Sequence, residues 1–192
     1  MWRSDVQVAL LGPSKVVNRK GGYRLATIQL KNFRCLDQDH YGEDNDCTLT
    51  SLTAVTDFYL AHTKPVQEIY TTIEKIARKY GYTGKKGTDP LFIRRIFNEV
   101  VRKYCFVPAA KTSVRYLKGV GFSYETICGQ IDKCNPVIMN VWKAGKYQSH
   151  TITVIGYDTT NKTLLVSDNW SVRPQVLRWD DIGFICSINF WN

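Results

Sequence analysis

The chain has 192 residues, 44% hydrophobic and 22% charged, a balance ordinary for a soluble globular domain. Its 26 Lys and Arg against 17 Asp and Glu give a net charge of +9. Because the basic residues are scattered and match no nucleic-acid-binding motif, we expect no specific nucleic-acid binding. No stretch approaches the roughly 18 apolar residues of a membrane span, so we expect no membrane-spanning segment.

The length suits one domain with a substantial core. We expect residues 1–192 to form it, with residues 1–22 as a candidate N-terminal arm. The first residues, Met1 to Asp5, lack the apolar core of a signal peptide. We therefore expect a soluble protein, either cytoplasmic or secreted with its leader removed.

The first half of the chain is dominated by helical patterns. Residues 23–33 alternate and predict a strand, and the polar loop 37–46 leads to a helix over 47–61 with one buried face. Pro65 and Gly81 are typical of the start and stop of a second helix. Asp89 and Pro90 predict the cap and first residue of a third, and residues 123–132 a short fourth.

From residue 137 the hydrophobic period changes from helical to two. Strands are predicted over 137–142, 151–157, 163–167 and about 184–190. Helices followed by antiparallel strands predict an α+β fold, with N-terminal helices packed on a C-terminal antiparallel sheet.

Three residues in this framework suggest a reactive thiol. Cys47 opens the first helix, where unpaired N–H groups and the helix dipole favour thiolate over thiol. His150 lies on a strand and could accept the thiol proton, and Asp168 follows the next strand and could orient the imidazole. Their order and settings predict a thiol hydrolase.

A hairpin explains how the histidine and its orienting group could meet. If Tyr157 pairs with Thr163, Asp168 faces Ile152 and lies diagonal to His150 on the same face of the sheet. A slip of one residue would place Asn169 there instead. Either side chain could accept a hydrogen bond from the imidazole, and we favour Asp168.

An oxyanion would need hydrogen-bond donors near the thiol. The backbone N–H of Cys47 is one candidate, and the side chain of Gln38 or Asn45 could be the second, since spacing alone does not rank them. His40 is a weaker rival for the base, because it lies in the polar loop.

Other conspicuous residues have structural interpretations. Trp142 and Trp170 are interpreted as core residues, with the wall of a substrate groove as the alternative. The acidic loop lacks the glycine and terminal glutamate of an EF-hand, so we predict a solvated loop and no metal site; its acidic residues are Asp37, Asp39, Glu43, Asp44 and Asp46.

Several of these segments together resemble the papain-like cysteine peptidases. The resemblance is closer to the bacterial group related to bacteriocin-processing, double-glycine peptidases, and it extends from residue 38 to about 170. It rests on Gln38, the run Asp46-Cys47-Thr48-Leu49-Thr50-Ser51-Leu52, the strand after Pro136, Ser149-His150-Thr151-Ile152-Thr153-Val154-Ile155-Gly156-Tyr157-Asp158, and Asp168-Asn169-Trp170.

The resemblance implies a role for each site residue. Cys47 would be the nucleophile, His150 the general base and then acid, Asp168 the orienting residue, and Gln38 the oxyanion donor. It further implies a papain-like fold and a bacterial, monomeric enzyme without cofactor that hydrolyses peptides or proteins through a thioester. Thr48 is a departure, because many relatives have glycine directly after the cysteine.

Two other functions are compatible with the same residues. One is an acyltransferase or transglutaminase-like enzyme that uses the same triad. The other is a catalytically silent module that keeps the fold and binds peptide.

Overall fold

The computed structural model describes residues 13–17, 26–41, 45–104, 112–116 and 123–191. Its four α-helices are α1 (Cys47–Tyr59), α2 (Val66–Arg78), α3 (Pro90–Tyr104) and α4 (Tyr124–Asp132). Its eight strands are β1 (Pro13–Val17), β2 (Ala26–Leu30), β3 (Thr112–Tyr116), β4 (Val137–Ala144), β5 (Tyr147–Asp158), β6 (Thr163–Ser167), β7 (Gln175–Arg178) and β8 (Ile182–Trp191).

The residues predicted to start helices lie at helix starts in the structure. Pro65 caps α2, which buries one stripe of apolar side chains including Ile69 and Ile73. Asp89 precedes α3, and its carboxylate accepts a hydrogen bond from the backbone N–H of Leu91 at 2.9 Å. Ser123 caps α4 by accepting from the N–H of Thr126. The side chains of Asp89 and Ser123 each satisfy a backbone donor that the first helical turn leaves unpaired, whereas Pro65 starts α2 without a side-chain capping bond.

Helix α1 differs from its prediction. It was expected to bury one face, yet every residue from Thr48 to Tyr59 is buried. The helix lies against α2, α3 and β5, so it has no solvent face. Its hydroxyl groups form short local bonds in part, such as Thr53 Oγ1 to the carbonyl of Leu49 at 2.8 Å. Tertiary packing therefore holds a helix whose threonines disfavour it intrinsically.

All strand pairs in the single sheet are antiparallel, and six strands follow the order β1-β2-β5-β4-β8-β3. Strand β6 pairs with β5 and with β7. The long strand β5 thus contacts β4, β2 and β6, and it connects the sheet to α1. The predicted α+β, papain-like class is confirmed, although β1 and β2 precede the helices and β1 falls within the predicted N-terminal arm.

The register of the β5–β6 hairpin is partly as predicted. Next to the turn, Tyr157 pairs with Leu164 and not with Thr163. A bulge between Val154 and Gly156 then shifts the register, so that Thr153 faces Ser167 as the predicted pairing requires. The bulge adds one residue to β5. On the side of the bulge that leads to His150, the strands therefore pair in the predicted register.

Gly156 marks a close approach between β5 and β2. A Cβ at this position would lie 2.4 Å from the carbonyl oxygen of Ile28 and 3.1 Å from the Cα of Gln29. We expect Gly156→Ala to lower the free energy of unfolding by roughly 2–3 kcal/mol, because backbone atoms cannot move aside as a flexible side chain can. Urea unfolding followed by circular dichroism measures the change.

Gly129 provides the matched control for this substitution. It lies in α4, and a Cβ there would meet nothing within 4 Å. Gly129→Ala should therefore raise stability by about 0.5–1 kcal/mol through helix propensity. Equal stabilities of the two variants would contradict the close approach at Gly156.

Candidate active site

Cys47 and His150 come together where the start of α1 meets β5. Burial raises the pKa of the Cys47 thiol. Hydrogen bonding by His150 and Thr151 and the charge of His150 lower it, and together they outweigh burial and leave the pKa below its ordinary value. This site can therefore stabilise a thiolate beside an imidazole.

The second ring nitrogen of His150 is held by a backbone carbonyl. Nε2 lies 2.6 Å from the main-chain oxygen of Asp168. A carbonyl oxygen can only accept, so Nε2 carries a proton and Nδ1 is the nitrogen left for the thiol. The residue we favoured does contact the histidine, but through its main chain and not through its carboxylate.

The Asp168 carboxylate is buried and has other partners. Its Oδ2 atom accepts from Lys146 Nζ at 2.9 Å and from the Tyr147 hydroxyl at 3.1 Å. Its Oδ1 atom accepts from the backbone N–H of Trp170 at 3.2 Å. The turn after β6 is thus fixed from both carboxylate oxygens.

Asn169 occupies the space beneath the start of α1. Its Nδ2 atom lies 2.9 Å from the carbonyl of Cys47, 2.8 Å from Ser51 Oγ and 2.8 Å from the carbonyl of Thr151. Its φ of 62° is left-handed, which asparagine tolerates better than most residues. The alternative orienting residue therefore joins the cysteine's helix to the histidine's strand.

Gln38 lies on the other side of Asn169. Its backbone N–H donates to the carbonyl of Asn169 at 2.8 Å. Its side chain is buried, and Oε1 makes no hydrogen bond within the described part of the chain. Asn45, the rival donor, instead directs Nδ2 to the carbonyls of Gly84 and Lys85 at 3.1 and 3.2 Å.

Thr48 is the position at which the chain departs from the glycine of many relatives. Its side chain is directed into the protein. Its hydroxyl lies 2.8 Å from that of Thr151, which also accepts from Asn140 Nδ2 at 3.0 Å. His40, the rival base, is exposed in a short 3-10 turn next to Tyr41.

Aromatic rings enclose His150. The rings of Tyr147 and Trp170 lie with centroids 5.4 and 4.2 Å from the imidazole, and Tyr147 is stacked at 13°. The core interpretation of the two tryptophans is wrong, because Trp142 is 52% and Trp170 45% exposed. The wall formed by Trp170 shields the imidazole from water on one side.

Sequence patterns do not indicate a role for Tyr147 or Lys146. In a regular strand, Tyr147 and His150 would lie on opposite faces because the side-chain period is two. The β4–β5 ladder is interrupted between Trp142 and Ala144, where Lys143 has a φ of 52°. Tyr147 and His150 nevertheless stack with centroids 5.4 Å apart, so β5 departs from regular alternation between these two residues.

The described residues contain no group of three or more His, Cys, Asp or Glu arranged to hold a metal ion. Two acidic residues of the predicted solvated loop have protein partners instead. The Asp37 carboxylate accepts from the N–H of Asp39 at 3.1 Å. Asp46 is buried and accepts hydrogen bonds from the hydroxyls of Tyr70 and Tyr82, so this carboxylate anchors the turn before Cys47.

A groove of about 500 Å³ opens beside Gln38. Its lining combines apolar side chains with Arg34 and Asp37, and it includes Phe33, Leu36, Tyr41, Val172 and Pro174. The groove is therefore bounded by the segments on both sides of the Gln38–Asn169 hydrogen bond.

Comparison with known proteins identifies the family. The model of the Peptidase_C39 like family matches residues 30–190. The chain belongs to this family. The predicted resemblance to papain-like, bacteriocin-processing peptidases is thereby confirmed, and family membership supports a cysteine peptidase.

A solved structure shows the same fold. The peptidase domain of Streptococcus ComA, a bi-functional ABC transporter involved in a quorum-sensing pathway, aligns with a TM-score of 0.53 and 18% identity. The alignment covers 83% of this chain and 96% of that domain. None of the curated proteins compared with the chain matches it. No helix within the described ranges has the length and apolar character needed to cross a bilayer.

The pKa differences among the cysteines predict selective labelling. Burial raises the pKa of Cys35, Cys134 and Cys186, and that of Cys128 to about 11, whereas that of Cys47 is lowered. At about pH 6, iodoacetamide should therefore modify Cys47 first among the five cysteines that the structure describes, because alkylation requires thiolate. Peptide mass spectrometry identifies the labelled site.

Loss of His150 should reverse this preference. His150→Gln removes the group that lowers the Cys47 pKa, so labelling near pH 6 should fall at least about tenfold and recover at alkaline pH. His62→Gln is the matched control, since His62 bonds the Asp57 carboxylate at 2.7 Å and has no part in the site. Fast labelling that persists in Cys47→Ala would assign the reactive thiol to another residue.

Asn169→Asp tests the junction beneath α1. The substitution keeps the shape and the tolerance of a left-handed φ but places a carboxylate against two carbonyl oxygens. We expect a loss of roughly 3 kcal/mol in the free energy of unfolding, because the new buried carboxylate would face carbonyl oxygens without enough hydrogen-bond donors. Asn32→Asp is the control, since Asn32 has a φ of 60° and is exposed; a similar loss there would mean that backbone strain is responsible.

Proposed function

We propose that this protein is a cysteine peptidase in which Cys47 attacks a peptide carbonyl with His150 as its base. The observation that carries the proposal is the position of Cys47 next to His150, whose hydrogen bonding and charge lower the pKa of the Cys47 thiol, and Asn169 ties the two segments together through the carbonyls of Cys47 and Thr151. Family membership supports the same activity. The nucleophile, its base and the group that orients the base are contributed by α1, β5 and the turn after β6.

The first chemical step would form a thioester. Nδ1 of His150 takes the thiol proton while Nε2 stays bonded to the Asp168 carbonyl, and the sulfur adds to the substrate carbonyl carbon. The imidazolium then gives its proton to the leaving amine as the C–N bond breaks. Water, deprotonated by the same imidazole, adds to the thioester and releases the acid and the thiol.

The negative oxygen of the tetrahedral intermediate needs donors. We assign this role to the Cys47 backbone N–H and to the side-chain amide of Gln38. Support for Gln38 comes from its buried side chain and from its connection to Cys47 through Asn169, whose main-chain carbonyl accepts from the Gln38 N–H and whose side-chain amide donates to the Cys47 carbonyl.

The groove beside Gln38 suits a peptide substrate. It is of the size of a small-ligand pocket, and its apolar lining with a few polar groups is typical of binding sites. Because family membership supports a peptidase, we assign peptides or proteins as the substrate class and no cofactor.

Substitution at Gln38 separates transition-state stabilisation from binding. Gln38→Ala should lower kcat for a peptide substrate by about a hundredfold with KM little changed, because one oxyanion donor is removed. Cys47→Ala should abolish turnover, and Gln67→Ala, on the exposed side of α2, should leave it unchanged. The assay is cleavage of a peptide library followed by mass spectrometry.

Added amines distinguish hydrolysis from acyl transfer. If the acyl group passes to an added primary amine in preference to water, the enzyme is an acyltransferase that uses the same thioester. Peptide binding that is identical in the protein and in Cys47→Ala, with no turnover of any peptide, would refute the peptidase proposal in favour of a binding module.

A further inference from the structure

Lys146 contacts Asp168 and both aromatic rings that pack on His150. Its Nζ lies 2.9 Å from Asp168 Oδ2. The same ammonium lies 5.2 Å from the ring centroid of Tyr147 and 5.5 Å from that of Trp170, within the range of cation–π attraction. Those two rings are the ones that pack on the imidazole.

The backbone of Lys146 is fixed by a tight turn. Ala144 and Tyr147 are paired across the β4–β5 hairpin, which leaves Gly145 and Lys146 as its two-residue loop. Gly145 has a φ of 55°, as such turns favour, and its N–H donates to the carbonyl of Asp181 at 3.0 Å. The position of the Lys146 backbone is therefore set by a well-defined turn, although its side chain is 55% exposed.

The burial of Asp168 makes this contact consequential. The Asp168 side chain is fully buried, and a buried carboxylate without a cation and donors is costly. Lys146, Tyr147 and the Trp170 N–H supply those partners at both oxygens. With the carboxylate so engaged, the main-chain carbonyl of the same residue is what faces His150 Nε2.

We propose that Lys146 is a positioning residue that fixes the Asp168 carboxylate and thereby keeps the Asp168 carbonyl on His150. The acidic side chain thus acts as an anchor for the turn, and the neutral carbonyl orients the imidazole. This inference builds on the proposed function for its effect on turnover, but its effect on the Cys47–His150 pair does not require turnover.

The test measures the rate of Cys47 alkylation by iodoacetamide as a function of pH. In Lys146→Met we expect the rate near pH 6 to fall roughly three- to tenfold, a modest effect because the ion pair is half exposed. Lys146→Gln should behave alike, and Lys146→Arg should restore the rate to within about twofold. Lys75→Met, on the exposed side of α2, is the matched control and should leave the rate unchanged.

A double-mutant cycle shows whether Lys146 acts through Asp168. In an Asp168→Asn background, the further change Lys146→Met should alter the rate less than about twofold, because the charge it serves is already gone. If the carboxylate were the true orienting group, removing Lys146 would free it, and Lys146→Met would label as fast as the parent or faster. That result, or an effect of Lys146→Met undiminished by Asp168→Asn, overturns the proposal.

The outcomes also separate this inference from the proposed function. Slower alkylation in Lys146→Met with no peptide cleavage by the parent protein would support the positioning role and reject the peptidase. Peptide cleavage by the parent with unchanged alkylation in Lys146→Met and Lys146→Gln would support the peptidase and reject the positioning role. Thermal unfolding of each variant confirms that the comparison is between folded proteins.

Discussion

The side-chain amide of Asn169 is the interaction on which the geometry of the site depends. Its Nδ2 atom reaches the first residue of α1, Ser51 one turn later, and the strand that carries the histidine. The main-chain carbonyl of Asn169 accepts from the backbone N–H of Gln38. The start of α1, the loop at Gln38 and strand β5 thus meet at one residue.

The surroundings of this amide are polar for a buried region. Thr48, Thr151 and Asn140 form a chain of short hydrogen bonds between α1 and two strands. Such networks in a low-dielectric interior fix relative position more sharply than apolar contacts do, since direction and distance both matter. The fully enclosed α1 therefore serves as a rigid support for the thiol, while the apolar stripes of α2 and the sheet supply most of the hydrophobic stabilisation.

The sequence predicts the elements better than it predicts the contacts among them. Periodicity and caps located α2, α3 and α4 because those signals are local, whereas β3 and β7 are short and carry too little pattern. His150 and residue 168 were expected to meet, and they do, but by way of a carbonyl that every residue possesses. Tyr147 was not predicted because a regular strand would place it and His150 on opposite faces, whereas the two rings stack in the structure.

The complete enclosure of α1 has a consequence for how the protein loses its shape. A helix without a solvent face cannot fray while its neighbours stay folded, so the amides of α1 should exchange with deuterated solvent only when the whole core opens. The nucleophile then shares the lifetime of the native state. Under heat or denaturant, the reactivity of the Cys47 thiol and the packing of the core would therefore be lost in the same transition.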